Sequence, residues 1–478
     1  MTVTRRHLPL LVLLAACSPL LLACGTTGSD SSDDTAASAA TDAPGTGTPE
    51  TTESVTSAPS DTSAAPATDP ADTAPTATAA PDTSPLQIGI TYISNDQTSS
   101  ELGAESVAIN QKSIVQGLVA GINADGGLNG RQLEPVEYEW DSSSDDWSLD
   151  ASAACAMFTQ DNDVSIVLDT AFGTVGGFRS CLEDAGVASI QTLSEGSAAS
   201  SAAATLHANP SSMTVDRAYV SVLDGLTGTD YLTADNQVGV IVENCPDNVT
   251  AYDETIKPLI TSLGLKEPID ASVDCATGFA AATAASAAVN NAVLKFNDAG
   301  VDRVMFIGDN EYILLLFFSG AASSQAYTPG YLLSSNAQPN AMLTSLAVDQ
   351  QPQMHGVGNQ PFNDIDSAEL SAVDQRCVEL ASAGGVNPVT YGDKGLLVFE
   401  CAPFLLLEAA LQATNGSAIA TDLAEAISAL DTTYVGPGIV EGATRFSDTD
   451  RDGPAMVRVF EFDDSCSCLQ YTGEPVPA

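Results

Sequence analysis

The sequence is poor in positive charge. It has 15 Lys and Arg against 62 Asp and Glu, a formal net charge of −47, and only five of the bases are lysines. Phosphate backbones and anionic lipid surfaces are bound by clustered Lys and Arg, so nucleic-acid and anionic-membrane-surface partners are excluded. Histidine is scarcer still: His7, His207 and His355 are the full set, which leaves little for His-based catalysis or His-rich metal sites. Also missing are Gly-x-Ser-x-Gly, His-Glu-x-x-His, Gly-x-x-x-x-Gly-Lys and Gly-x-Gly-x-x-Gly runs, which argues against the common hydrolase, zinc-protease, nucleotide and dinucleotide chemistries. With so many carboxylates, a chance glycosidase-like pair carries no information and is read as surface solvation. The chain is therefore expected not to be an enzyme and to need no cofactor or metal. A hydrophobic content of 44% still supplies ample material for a buried core.

Two segments precede the fold. Met1–Ala23 holds Arg5 and Arg6, then apolar runs at Leu8–Ala16 and Leu20–Ala23, the pattern of a secretory signal. Its end, Leu21-Leu22-Ala23-Cys24, resembles the lipobox of bacterial lipoproteins, which implies cleavage before Cys24 and a diacylglycerol on its thiol. Leu14-Ala15-Ala16-Cys17 fits the same pattern, but cutting there leaves an apolar stub, so Cys24 is preferred. From Gly25 to Pro85 the chain is almost entirely Ser, Thr, Ala, Pro, Gly and Asp, with ten acids, no base, no aromatic and Val55 as the one large aliphatic. Such a segment buries too little to offset its ordering entropy, and residues 24–85 are expected to form a disordered tether. Its random-coil reach is roughly 40–50 Å. The expected location is the outer face of the bacterial cytoplasmic membrane.

From Leu86 onward, strand and helix patterns alternate. Leu86–Ile93 is a buried strand, and Val107, Ile114, Leu118 and Ile122 trace one helical face that ends at Gly126-Gly127. Strands follow at Leu133–Trp140, Val164–Leu168 and Val187–Thr192, with a helical stretch around Leu149–Thr159. A second set has strands at Val238–Val242, Ile269–Val273 and Val304–Ile307, interleaved with helices at Ile256–Leu265, Phe279–Ala299 and Glu311–Ala322. Continuous apolar strands separated by helices mean parallel sheets covered on both faces, and two sets mean two doubly wound α/β lobes. Ligands of such sheets bind beyond the carboxyl ends of the strands.

The block Ile88-Gly89-Ile90 … Gly103 … Gly117–Ile122, followed by Asn123-Ala124-Asp125-Gly126-Gly127-Leu128-Asn129-Gly130-Arg131, resembles the start of the type I periplasmic-binding fold. More narrowly it is similar to the branched-chain amino-acid-binding proteins of ABC importers. Near the other end, Phe446–Asp452 and Met456–Phe462 resemble that family's last β-hairpin. The resemblance implies two lobes joined by three crossing segments, with lobe 1 at 86–209 plus 365–435 and lobe 2 at 210–364 plus 436–478. It also implies a small polar solute, an amino acid or related compound, captured by lobe closure and delivered to a membrane permease with its ATPase. A ligand sensor or surface-interaction protein on the same clefted fold is the alternative, with an extracellular hydrolase more distant.

In that family, loops after the lobe 1 strands receive a ligand α-carboxylate on backbone N–H groups and hydroxyls. The corresponding loops here offer Ser99 and Ser100, then Thr170, Phe172, Gly173 and Thr174, then Thr192. A ligand ammonium would need an acid from lobe 2: Glu243, Asp309 or Glu311. Tyr252 or Phe172 would cover an apolar side chain. The first loop and the Glu243-Asn244-Cys245-Pro246 segment depart from the usual family sequences, so amino acid, amide, urea-like compound and aromatic acid all stay open as ligands.

Asp448-x-Asp450-x-Asp452-Gly453 copies half of an EF-hand loop, yet Val459 sits where a bidentate Glu is needed, and a turn is the preferred reading. Eight cysteines remain beyond Cys17 and Cys24, and outside the cytoplasm an even number points to disulfides. Cys155 with Cys181 and Cys245 with Cys275 are the expected pairs. Cys377 with Cys401 would leave Cys466 and Cys468 to each other, and the alternative links each of these two to Cys377 and Cys401.

Overall fold

The computed structural model describes residues 82–94, 109–193 and 195–478. The chain divides into a unit Met1–Thr76, which lies outside those residues together with the signal and Cys24 readings, and a unit Ala77–Ala478. Within the second unit, β1 (Leu86–Ile93), β2 (Leu133–Trp140), β3 (Ile166–Asp169), β4 (Ala188–Gln191) and β5 (His207–Ala208) form a five-stranded sheet in the order β2-β1-β3-β4-β5. All its pairings are parallel. A seven-stranded sheet follows from β6 (Val238–Glu243), β7 (Ile269–Val273), β8 (Arg303–Ile307), β9 (Gly330–Leu333), β10 (Met354–Gly358), β11 (Met456–Asp463) and β12 (Cys468–Pro477), in the order β12-β11-β10-β9-β8-β6-β7. The last two strands are the antiparallel hairpin, and the rest run parallel.

Each sheet is covered on both faces, as unalternated strands require. One face of the first sheet packs on the helices Gln111–Ala124, Ala372–Ala383, Tyr391–Ala413 and Ala420–Leu430. Tyr391–Ala413 is long and apolar enough to cross a membrane, but it is largely buried in this core. Its start is fixed by a capping box, Thr390 with Asp393, and Ser371 with Asp374 does the same for its neighbour. Helix Ala372–Ala383 lies against Gln111–Ala124 through glycine: a Cβ on Gly121 would stand 1.8 Å from the Leu380 carbonyl oxygen, and one on Gly384 1.9 Å from that of Gly117. The second sheet has Phe279–Ala299 and Glu311–Ser324 on one face and Val215–Thr227 on the other.

The polypeptide passes between the lobes three times, and buried polar groups knit the passages together. Asn209 exchanges backbone hydrogen bonds with the third passage, donating to Arg451 O (2.8 Å) and accepting from Gly453 N (2.7 Å). The Asn359 amide of the second passage donates to Ser211 O of the first (2.7 Å). Asp452 accepts from Thr214 N (2.8 Å) and pairs with Arg217 (2.6 Å). The acidic 448–452 run is thus divided among separate partners, Asp450 taking Arg445 at 2.7 Å.

The four residues before β1, grouped by composition with the tether, are tied down. Asp82 N donates to Asn415 O (3.3 Å), while Arg131 donates to Ser84 O (2.8 Å) and Gly416 O (2.7 Å). Arg131 is buried, so its charge needs these acceptors, and a local composition cannot reveal a partner that far along the chain. All eight described cysteines are bridged: 155–181, 245–275, 377–401 and 466–468.

Candidate functional site

The carboxyl ends of β3 and β4 face those of β6 and β8 across the lobe boundary. After β3, the buried Asp169 carboxylate gathers its own loop: Oδ1 accepts from Ala171 N (3.1 Å) and Phe172 N (2.9 Å), Oδ2 from Gly173 N (2.8 Å). The Thr91 hydroxyl donates to Oδ1 as well (2.5 Å). Burial raises the Asp169 pKa against these donors. Thr170 is buried and donates to Thr91 O (2.8 Å). Phe172 lies in an aromatic cluster, its ring centroid 4.8 Å from Trp140 and 4.7 Å from Phe178. Gly173 takes a φ of 56°, which permits the tight turn around Asp169. Thr174 borders Gly196. Ser99 and Ser100 lie outside the described residues.

Following β4, Thr192 is fully buried, and its hydroxyl makes no hydrogen bond. Next comes Glu195, fully buried at the centre of a polar network. It accepts from Gln191 Nε2 (2.9 Å), Ser201 Oγ (2.8 Å) and Arg179 Nη1 (3.2 Å), and it pairs with His207 Nε2 at 2.8 Å. Burial pushes its pKa up, but His207, then Arg179 and Ser201, outweigh burial and hold it at about 2. Arg179 also donates to Ser200 Oγ (3.1 Å). His207 is thus a packed, hydrogen-bonded histidine, and His355 stacks on Tyr231 with centroids 3.7 Å apart.

In lobe 2, Glu243 ends β6 and is itself saturated, accepting from Ala276 N (3.0 Å) and from the Asn310 amide (3.1 Å) and backbone (3.3 Å). Asp309 follows β8. Its Oδ1 makes no hydrogen bond, and burial, with repulsion from Glu243 and Asp247, raises its pKa to about 7. Glu311 begins the next helix fully buried. Ser334 Oγ donates to its Oε2 (2.8 Å), Oε1 makes no hydrogen bond, and burial raises it to about 8. The buried Asn248 side chain lies beside Asp309, whose carboxylate it favours, without a hydrogen bond of normal geometry. Tyr252 turns elsewhere: its hydroxyl donates to Asp270, and it lines a 310 Å³ surface pocket with Asp253 and Lys295. Among the described residues the one metal-like grouping is Glu243, Cys245 and Cys275, whose two thiols form a disulfide.

Lobe meets lobe directly. Asp247 accepts from Ser197 Oγ (3.0 Å) and Ser200 Oγ (2.8 Å), Trp147 N donates to Thr277 O (2.9 Å), and Phe279 N donates to Ser144 O (2.9 Å). Ile313 and Ala282 pack into the cluster of Trp140, Trp147 and Phe172. This is a closed arrangement.

Solved structures share the whole architecture. A possible leucine/isoleucine/valine-binding protein from Rhodopirellula baltica superposes with a TM-score of 0.60 at 13% identity, covering 83% of this chain and 98% of its own. The chain has the type I periplasmic-binding fold. An ABC-transporter solute-binding protein from R. palustris in complex with 4-hydroxybenzoate shares that fold at a TM-score of 0.60 and 13% identity, over 82% of this chain and 96% of its own. So does a fatty acid ABC transporter substrate-binding protein from Thermomonospora curvata, at 0.59 and 16%, over 83% and 93%. No sequence-family model and no curated protein matches the chain.

In this periplasmic-binding fold, Thr192, Glu243, Asp309 and Glu311 are recognisable in the sequence by their places after strands, whereas Arg179, Glu195, Asp247 and Asn248 are not. A signal for one of them existed: Arg179 is the sole base between Arg131 and Arg217. Glu195 and Asp247 carried none, being two acids among 62.

Proposed function

We propose that the chain is the extracytoplasmic, lipid-anchored substrate-binding component of an ABC importer, which captures a small polar solute by lobe closure and hands it to a permease. What carries this reading is the set of fully buried, unpaired polar atoms at the strand ends where the two lobes meet: Thr192 Oγ1, Asp309 Oδ1, Glu311 Oε1 and the Asn248 amide. Buried polar groups cost free energy when unpaired, so a polar ligand there gains what the protein leaves unmet. A ligand that touches both lobes binds the closed state better than the open one and shifts the population. Lobe 1 is taken as 86–209 plus 365–435 and lobe 2 as 210–364 plus 436–478, with Cys24 as the lipidated residue. Among the neighbours, leucine-type, hydroxybenzoate and fatty-acid proteins are represented, so the fold leaves the solute open.

The test is a thermal-shift screen of the chain against amino acids, amines, amides and small carboxylates. A ligand at about 100 times its dissociation constant should stabilise by about 2.7 kcal/mol. A screen in which no solute moves the melting temperature would remove the capture reading. Loss of uptake of the best hit on deletion of the gene separates import from sensing.

A further inference from the structure

We propose that the solute is an organic cation, an ammonium compound that carries no carboxylate. This deepens the capture reading above and rests on it. The backbone N–H groups and the base that would receive a carboxylate are already occupied, which leaves the Thr192 hydroxyl and the Asn248 amide as neutral donors. Three successive N–H groups after β3, those of Ala171, Phe172 and Gly173, close on the protein's own Asp169 carboxylate. The nearby base, Arg179, is held within its own lobe by Glu195 and Ser200.

The unmet groups have the opposite preference. Asp309 Oδ1 and Glu311 Oε1 are buried acceptors without a hydrogen bond of normal geometry, although the Asn248 amide lies beside Asp309 and the Tyr219 hydroxyl beside Glu311. Glu243 and Asp247 add negative potential around Asp309, and Arg179 opposes them only as the weakest contributor. A zwitterionic or anionic solute would bring a further carboxylate into this field, where Arg179, the base that acts on Asp309, is already engaged by Glu195 and Ser200. A bare metal ion fits less well than an N–H donor, since Asp309 and Glu311 form no three-ligand group with another acid, His or Cys among the described residues. An N–H donor is directional, as a carboxylate oxygen requires, and charge-assisted hydrogen bonds are the strong ones.

Isothermal titration of the full chain with 1,4-diaminobutane, leucine, 4-hydroxybenzoate and calcium chloride tests this, with the fluorescence of Trp140 and Trp147 at the lobe contact reporting closure. The expected result is binding of the diamine alone. Asp309→Asn and Glu311→Gln, with melting temperatures checked, should each weaken it by about tenfold to a hundredfold. A second readout does not depend on the variants. Asp309 and Glu311, surrounded by Glu243, Asp247, Asn248, Arg179, Ser334 and Tyr219, hold protons in the free protein near pH 6, because burial lifts them to about 7 and about 8. Diamine binding should therefore release protons and tighten from about pH 6 to about pH 8. Binding of leucine, 4-hydroxybenzoate or calcium in place of the diamine overturns the cation class, as does diamine binding indifferent to both variants and without proton release. If none of the four probes binds, the cation class also falls, and the broad screen decides the rest: a hit of another class keeps capture, whereas no hit removes both.

Discussion

Replacing Glu195 with Gln probes the buried network that organises the end of β4. The carboxylate is fully buried and takes donors from Arg179, His207, Gln191 and Ser201. Its folded pKa of about 2, against an ordinary 4.5, lies below the unfolded value, so the ionised group stabilises the fold above that ordinary value and loses its contribution as pH falls toward 2. At neutral pH the linkage amounts to about 3 kcal/mol, and at pH 3 less than about half of it survives. Glu195→Gln keeps the shape and removes the charge, leaving Arg179 without a buried counter-ion, a loss of the order of 3–5 kcal/mol where one partner of a buried pair is removed. Urea denaturation at pH 7 and pH 3 measures it: the variant should be about 3 kcal/mol less stable at neutral pH, with the gap shrinking by about 2 kcal/mol on acidification. A deficit under about 1 kcal/mol at pH 7, or a gap that does not change with pH, would refute the assignment of this network as a stabilising charge cluster.

Changing Cys245 and Cys275 to serine opens a bridge spanning 30 residues. Chain-entropy arithmetic puts the loss at about 3–4 kcal/mol, read by chemical denaturation, and a loss below about 1 kcal/mol would count against it. Asp247→Ala removes both hydrogen bonds that Ser197 and Ser200 make across the lobes, so small-angle scattering of the unliganded variant should show a larger radius of gyration. Scattering identical to the parent would mean that the lobes are held by other contacts. Gly121→Ala drives a methyl into the Leu380 carbonyl and should destabilise by about 1–3 kcal/mol, measured as a lower melting temperature.

Much of the architecture was readable along the chain because its signals are local. The strand read at Ile269–Val273 and the helix at Phe279–Ala299 have those same bounds in the structure, since apolar runs and glycine stops act within a few residues. The helix read at Ile256–Leu265 instead belongs to a longer helical stretch that starts at Pro246 and passes through a wider turn at Tyr252–Ile256. No periodicity marks that start, because Pro246 opens the helix directly after the disulfide-bonded Cys245. At the site, the acids after β6 and β8 could be named because strand ends are recognisable. Their condition could not: Glu243 is saturated by Asn310 and Ala276, while Asp309 and Glu311 keep an unpaired oxygen. Thr170, Phe172 and Gly173 had the right residue types for a carboxylate cradle, yet Asp169 takes the Phe172 and Gly173 N–H groups, Thr170 donates to Thr91 O, and the aromatic cluster takes the Phe172 ring.

The sequence by itself determined the chemistry that does not depend on distant neighbours. Few bases and few histidines argued against phosphate partners and His-based catalysis, and unalternated apolar strands between helices required two covered parallel sheets. Tertiary structure decided which charges are met. Arg131 closes on the 82–85 segment and Gly416, Arg179 closes on Glu195, and Asp452 closes on Arg217 across the passages between lobes. A buried charge takes its energy from partners brought close in space, whatever their distance along the chain, and composition counts charges without placing them. With 62 acids in view, only the folded arrangement separates the few buried oxygens that still lack a partner from those whose needs the protein already meets.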